Sequence, residues 1–257
     1  MSRPGEQDTN PSRSVVDSVL AILGSFDADH RVMGIREISR RSGVPRSTTH
    51  RLTQQLIDGG ALERGDDGSV QIGVRLFEIG TLAPAHVAIR DAALPFAHHL
   101  NEFTRLTVNL AVQEGSDAVY LEKITTPTLH VPHTRTGGRA HLHATGLGKA
   151  LLAFSPQQVV DDVLSQPLAR VTAHTIVDPD RLRRDLAAIR TRRIAFDLEE
   201  SRLGLFCVAA PILDSSGTAI AAISVTGATH RSQVEEHAGA VRTAALAIGR
   251  AVSWPAQ

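Results

Sequence analysis

Residues 35–72 constrain this chain more than any other stretch. Two short helical segments, over 35–41 and from about Arg46 to Asp58, flank the turn Ser42-Gly43-Val44-Pro45. Gly43 offers a position where a positive φ is easy. Gly59-Gly60 stops the second segment, as expected at a helix C-terminus. Two strand-like runs follow, 62–64 and 70–72, joined by the hairpin turn Gly65-Asp66-Asp67-Gly68. Upstream, Ser14 can cap a helix in which Val15, Val16, Val19, Leu20, Ile22 and Leu23 recur at helical spacing. Helix, helix, turn, helix and two-stranded wing is the order of a winged helix-turn-helix.

In such a unit Ile35, Ile38, Val44, Leu52 and Leu56 pack against the first helix. Arg46, Ser47, Thr48, His50 and Arg51 are left on the outer face of the third. Arginine can bond guanine edges bidentately, hydroxyls bond phosphates or bases, and a helix N-terminus favours phosphate. Arg36, Arg40 and Arg41 lie nearby, opposed by Glu37. The whole chain is neutral, with 27 basic and 27 acidic residues, so any DNA-binding surface must be this local patch. The bland alternative is a helical hairpin with a solvated arginine face; the wing shifts the balance to DNA. Asp66 and Asp67 at the wing tip are repelled by phosphate, which leaves Arg64 as the expected backbone contact.

A length of 257 residues suits two domains. Aromatics are only 4%, so the core must be built from Ala, Val, Leu and Ile. Cys207 stands alone, which excludes an internal disulfide and suits a reducing compartment. The first ten residues lack the apolar core of a signal peptide, and no stretch has the apolar length of a bilayer span. A soluble, cytoplasmic protein without membrane contact is expected.

Residues 1–12 read as a disordered tail and 13–75 as the winged helix-turn-helix domain. A mostly helical pattern over 76–100 breaks near Pro84 and Pro95; 76–92 is read as a linker helix and 93–257 as a second domain. Strands are expected at 106–112, 118–124, 129–135, 208–213 and 219–225. Helices are expected at 146–154, 156–164, 179–193 (capped by Asp178) and 232–252. In the last, Val234, Val241 and Ile248 are spaced by seven, with Ala238, Ala245 and Val252 beside them. This mixed order implies an antiparallel sheet with helices, an α+β domain. By fold-level analogy, one helical layer leaves a pocket on the other face.

Several separate blocks resemble the IclR family of bacterial regulators, in the right order and over nearly the whole chain from Ser14. They are Ser14-Val15-Val16-Asp17-Ser18-Val19-Leu20-Ala21-Ile22-Leu23, Gly43-Val44-Pro45-Arg46-Ser47-Thr48-Thr49-His50-Arg51-Leu52 and Gly59-Gly60-Ala61-Leu62-Glu63-Arg64. Further blocks are Leu142-His143-Ala144-Thr145-Gly146-Leu147-Gly148-Lys149-Ala150-Leu151-Leu152-Ala153, Gly204-Leu205-Phe206-Cys207-Val208-Ala209-Ala210-Pro211-Ile212 and Ala221-Ala222-Ile223-Ser224-Val225-Thr226-Gly227. The resemblance implies a GAF-like domain for a small-molecule effector, often a carboxylate or aromatic acid. It also implies double-stranded operator DNA as partner, homodimers or homotetramers, and repression in most members.

Carried over by position, the effector site comprises Gly146, Leu147, Asp197, Cys207, Ser224 and Thr226. Ser224 and Thr226 alternate on one strand and so share a face. Their hydroxyls suit a carboxylate, and Gly146 suits close approach of a backbone N–H. The bland readings are backbone-bonded hydroxyls, a buried inert Cys207, and a solvated turn holding Asp197, Glu199 and Glu200. A carboxylate in an acid-binding pocket repels its ligand unless protonated or cation-paired, so Asp197 ranks lowest. His130, His133, His141 and His143, with Arg135 and Arg139, read as a cationic wall, a metal site with Cys207, or exposed loop residues. Gly146-Leu147-Gly148-Lys149 is no phosphate loop, since His143 and Ala150 stand where that pattern needs glycine and Ser or Thr. No cofactor, metal or catalytic residue is expected. The alternatives left open are a metal-dependent enzyme built on the histidines, an activator rather than a repressor, and an architectural DNA binder.

Overall fold

The computed structural model describes residues 13–125, 134–228 and 234–252. The expected tail, most of the expected strand at 129–135, His130, His133 and Ser232 lie outside the described residues. The chain divides into two compact units between Ala83 and Pro84.

In the first unit, α1 (Val15–Leu23) starts at Ser14, whose hydroxyl accepts the Asp17 N–H at 3.0 Å. α2 (Ile35–Ser42) ends at Gly43, which takes the left-handed conformation at φ 66°. α3 (Arg46–Asp58) follows. The turn between them is tied by the Ser39 and Thr49 hydroxyls, which donate to the Val44 carbonyl at 2.7 and 3.0 Å. β2 (Leu62–Arg64) and β3 (Val70–Ile72) form the wing. A third strand that sequence patterning missed, β1 (Val32–Met33), pairs with β3 to give the order β1-β3-β2. Two residues are too few to show a period. Ile22, Met33, Ile38, Val44, Leu52, Leu62 and Val70 form the core.

The helical pattern after the wing resolves into two helices rather than one linker helix. α4 (Val74–Gly80) buries none of its residues and leaves Val74, Phe77 and Ile79 exposed. α5 (Pro84–Thr104) runs through Pro95 without ending there. A mid-helix proline removes one backbone hydrogen bond. Here the stripe Ile89, Ala93, Ala97 and Leu100, all buried on one face, holds the helix together regardless.

The second unit is built on a six-stranded antiparallel sheet in the order β6-β5-β4-β9-β8-β7. Its strands are β4 (Thr107–Glu114), β5 (Asp117–Ile124), β6 (Arg139–His141), β7 (Ala195–Leu198), β8 (Leu205–Leu213) and β9 (Ala219–Ala228). Helices cover both faces of the sheet, so no bare face is left for the pocket of the fold analogy, and any pocket lies beneath helices. α5 and α9 (Ala238–Ala251) bury one face against Val108, Leu110, Val208, Ile212, Ile223 and Val225. α6 (Gly146–Ala153), α7 (Gln157–Leu164) and α8 (Pro179–Arg192) cover the other, over the small residues Ala111, Ala195, Cys207, Ala209 and Ala222. Burial on both sides explains why β8 and β9 read as nearly continuous apolar runs. β6 and β7, missed by patterning, are short edge strands. α6 approaches the chain before it closely: a Cβ on Gly148 would lie 2.4 Å from the Leu142 carbonyl oxygen.

Candidate functional site

Two surfaces carry chemistry, one in each unit. In the first, Thr49, Leu52 and Thr53 turn α3 inward, while Arg46, Ser47, His50 and Arg51 are exposed and Thr48 is half-buried. No acidic residue occupies the first turn of α3, so its positive end is unopposed. Arg36 is exposed on α2. Arg64 bridges wing and helix, donating to Gln54 Oε1 at 3.2 Å and to the Gly68 carbonyl at 3.4 Å. Two further arginines of the patch are held by acidic partners, Glu37, which the sequence set against them, and Asp27, which it did not. Arg41 is part-buried, donates to the Ser25 carbonyl at 2.8 Å and pairs with Asp27. Arg40 is paired with Glu37 at 2.5 Å. The hydrogen bond from His30, with help from backbone amides and Arg41, holds the Asp27 carboxyl down to about 2.

In the second unit, sheet register gathers polar side chains beneath α6. Asp197 on β7 opposes Cys207 on β8, and Cys207 opposes Thr226 on β9. Two residues along, Ser224 opposes Asn109 on β4. Period-two alternation puts all of these on the α6 face. With Tyr120, Thr134, Thr145 and Leu147 they line a cavity whose free space is about 10 Å³. That is no more than one water requires.

The polar groups in this closed space are under-satisfied. Asn109 Oδ1 and Thr134 Oγ1 are buried without a hydrogen bond. The Ser224 hydroxyl meets the weakly bonding thiol of Cys207 and so is poorly satisfied. Asn109 Nδ2 reaches Thr226 Oγ1 at 3.5 Å, a long contact. Burial pushes the Cys207 thiol up to about 11, with the Asp197 charge adding to it. Burial also raises the Tyr120 phenol and the Asp197 carboxyl, against the opposing pull of the Ser201 hydrogen bond and the Lys149 charge. No Lys, Arg or His is among the described lining residues. Thr145 caps α6 by accepting the Gly148 N–H at 3.0 Å, so the helix start is the positive element of the wall.

Of the residues singled out in the sequence, Leu147, Asp197, Cys207, Ser224 and Thr226 lie on the cavity wall. Gly146 does not; a Cβ there would meet Cys207 Sγ at 3.0 Å, so glycine lets α6 seat on β8. Asp197 is no solvated turn: it is 1% exposed on β7 and accepts the Glu200 and Ser201 N–H groups at 2.7 and 3.2 Å. Asn109 and Thr145 were missed. An asparagine inside the otherwise apolar run Val108–Val112 was the available signal.

The histidine cluster divides. His130 and His133 lie outside the described residues. His141 and His143 stack with ring centroids 5.6 Å apart. His143 bonds the Ala169 carbonyl at 2.9 Å, and His141 lies 3.5 Å from Asp117. Among the described residues no group of three His, Cys, Asp or Glu side chains could hold a metal. No helix among them is long and apolar enough to cross a membrane.

Two family models match the chain. The IclR helix-turn-helix domain covers residues 15–66, and the bacterial transcriptional regulator IclR C-terminal domain covers 82–254. The regulator KdgR of Dickeya chrysanthemi is 32% identical, over 94% of this chain and 81% of its own. The transcriptional repressor IclR of Escherichia coli is 33% identical, over 87% of this chain and 84% of its own. Among solved structures, an IclR homologue from Microbacterium hydrocarbonoxydans complexed with 4-hydroxybenzoate superimposes with a TM-score of 0.87. It shares 32% identity, over 93% of this chain and 99% of that one.

Proposed function

From the premise that the chain belongs to the IclR family of bacterial transcriptional regulators, and is therefore a ligand-responsive DNA-binding regulator, we propose that it is a repressor released or engaged by a small organic acid held in the cavity beneath α6. The observation that carries the proposal is the set of poorly satisfied buried atoms facing one small cavity: Asn109 Oδ1 and Thr134 Oγ1 without a hydrogen bond among the described residues, and Ser224 Oγ against the Cys207 thiol. Buried polar groups without partners cost free energy. A ligand that supplies those partners is stabilised by the difference. The relatives named as repressors and the neighbour bound to 4-hydroxybenzoate support the same reading.

A carboxylate entering this cavity meets hydroxyls and the α6 N-terminus in place of a basic side chain. Burial raises the Asp197 carboxyl, which lessens its repulsion of a second carboxylate. In the reader unit, Arg46, Ser47, Thr48, His50 and Arg51 face the major groove of operator DNA, with Arg36 and Arg64 on the phosphates. A homodimer presents two such helices, and a homotetramer four. The connection read at 76–92 in the sequence contains the boundary between the two units, at Ala83 and Pro84, and it is through this boundary that an effector shifts the spacing of the reading helices. The protein works in the cytoplasm and performs no catalysis.

The test is a thermal-stability scan against organic acids, aromatic acids (4-hydroxybenzoate included), sugars and sugar acids, followed by anisotropy on DNA upstream of its own gene. A ligand at a hundred times its Kd adds roughly 2.7 kcal/mol to stability. A hit that also changes DNA affinity is expected. DNA binding with no hit, or a hit without effect on DNA, removes the gating claim.

A further inference from the structure

Lys149 is 1% exposed, yet it bears a charge. Its Nζ lies 2.6 Å from Glu200 Oε1 and 2.9 Å from Asp185 Oδ2. A buried ammonium is retained only where its partners are well placed, and these two partners belong to different structures. Asp185 lies on α8, so its bond staples α6 to a neighbouring helix. Glu200 lies in the 199–204 connection between β7 and β8, beside the cavity.

That connection is held from every side. Its Glu200 N–H donates to Asp197 Oδ1 at 2.7 Å. Outside, the Thr175 hydroxyl donates to the Glu200 carbonyl at 2.7 Å and the Thr172 hydroxyl to the Glu199 carbonyl at 2.6 Å. Glu199 sits at φ 66°, a left-handed conformation that a glutamate does not choose unaided. The turn therefore depends on its anchors, and the Asp197 carboxyl depends on the turn.

We infer that Lys149 is a positioning residue of the cavity: its ion pair with Glu200 fixes the 199–204 connection, and so holds Asp197 in place and keeps the wall over Cys207 shut. The inference takes its functional meaning from the cavity being the effector site, but its test needs no effector. The competing account is that the buried charges only staple α6 to α8. In that case Asp185 matters as much as Glu200.

Cys207 is the sole cysteine and lies on the cavity wall, so its labelling by Ellman's reagent in the full-length native protein reports wall opening. Rates are compared at urea concentrations well below each variant's unfolding transition. Glu200→Ala is expected to speed labelling on the order of tenfold through local opening. Glu200→Gln, which keeps an acceptor for Lys149, should restore most of the wild-type rate, and Asp185→Asn should leave it unchanged. Thr175→Val removes the adjoining anchor without unpairing a charge, and keeps the test decisive should Glu200→Ala fail to fold. It too is expected to accelerate labelling, by about threefold. Wild-type rates in both Glu200→Ala and Thr175→Val, or equal acceleration by Asp185→Asn, overturn the inference. An effector panel without hits would leave these outcomes equally readable.

Discussion

Asp197 and Cys207 face each other as register partners on β7 and β8, and both side chains are buried on one wall of the cavity. A carboxyl opposite a thiol, with no basic side chain among the described lining residues, makes an environment that disfavours negative charge. Burial raises both groups for the same reason. The cavity is thus polar without being cationic, which sets the behaviour of its variants.

Asp197→Asn should change how stability depends on pH. The folded-state pKa of Asp197 is raised above its ordinary 3.8. The folded protein therefore binds the proton more tightly than the unfolded chain, and stability falls as pH rises from that value through the raised one. Asparagine keeps an acceptor for the Glu200 and Ser201 amides but cannot ionise. The difference in urea midpoint between variant and wild type should be constant below the ordinary carboxyl value, and should move in the variant's favour as pH rises above it. A difference that is flat with pH would mean that Asp197 titrates alike in both states.

Arginines of the first unit should separate into two classes. Arg46→Ala and Arg51→Ala are expected to weaken operator binding and base discrimination by about 1–3 kcal/mol each, while Arg36→Ala, a lost phosphate contact, should lower the slope of log affinity against log salt by about 0.9. Arg41→Ala should instead cost about 1 kcal/mol of stability, because its guanidinium bonds the Ser25 carbonyl and Asp27. Anisotropy titrations at several salt concentrations, beside urea melts, distinguish the two. Wild-type DNA affinity in both Arg46→Ala and Arg51→Ala would move the reading face elsewhere.

Two helical glycines should respond with opposite signs. A Cβ on Gly148 would press on backbone atoms of Leu142 at 2.4–2.7 Å. Backbone cannot swing aside, so Gly148→Ala should cost about 3 kcal/mol, the upper end of the usual overpacking range. Gly239, in the first turn of α9, has nothing within 4 Å of its missing Cβ. Gly239→Ala should stabilise by about 0.5–1 kcal/mol through helix propensity and unfolded-state entropy. Paired urea melts check this; equal effects would refute the close approach of α6 to Leu142.

Legibility in the sequence followed how local each determinant is. Ser14 as a cap, Gly43 in the left-handed region and Asp178 as a cap act within four residues, so the ends of α1, α2 and α8 were readable. β6 and β7 were not, because their three and four residues owe strand geometry to their neighbours in the sheet. The same applies to the site. Ser224 and Thr226 share a strand face by alternation, which a sequence displays. Asn109 reaches them only through the register of β4 with β9, across more than a hundred residues. Lys149 was concealed most fully: once the phosphate loop is set aside, Gly146-Leu147-Gly148-Lys149 reads only as the opening of a packed helix. Its partners are 36 and 51 residues away.

Ser224→Ala places stability and response in opposition. The Ser224 hydroxyl is fully buried and has the Cys207 thiol, a weak partner, beside it. Deleting it removes a poorly satisfied group and leaves the van der Waals fill of Cβ intact. The ligand-free protein should become more stable by about 1 kcal/mol. An effector that uses this hydroxyl loses a partner, so its dose response should shift to higher concentration by roughly fivefold or more, the equivalent of about 1 kcal/mol. DNA affinity without effector should stay unchanged, because Ser224 lies in the second unit's sheet. Urea melts of the free protein and effector titrations of the DNA complex measure the two effects separately. A variant that is less stable than wild type would mean that the hydroxyl is satisfied in the free protein. An unchanged dose response would remove Ser224 from the set of ligand contacts.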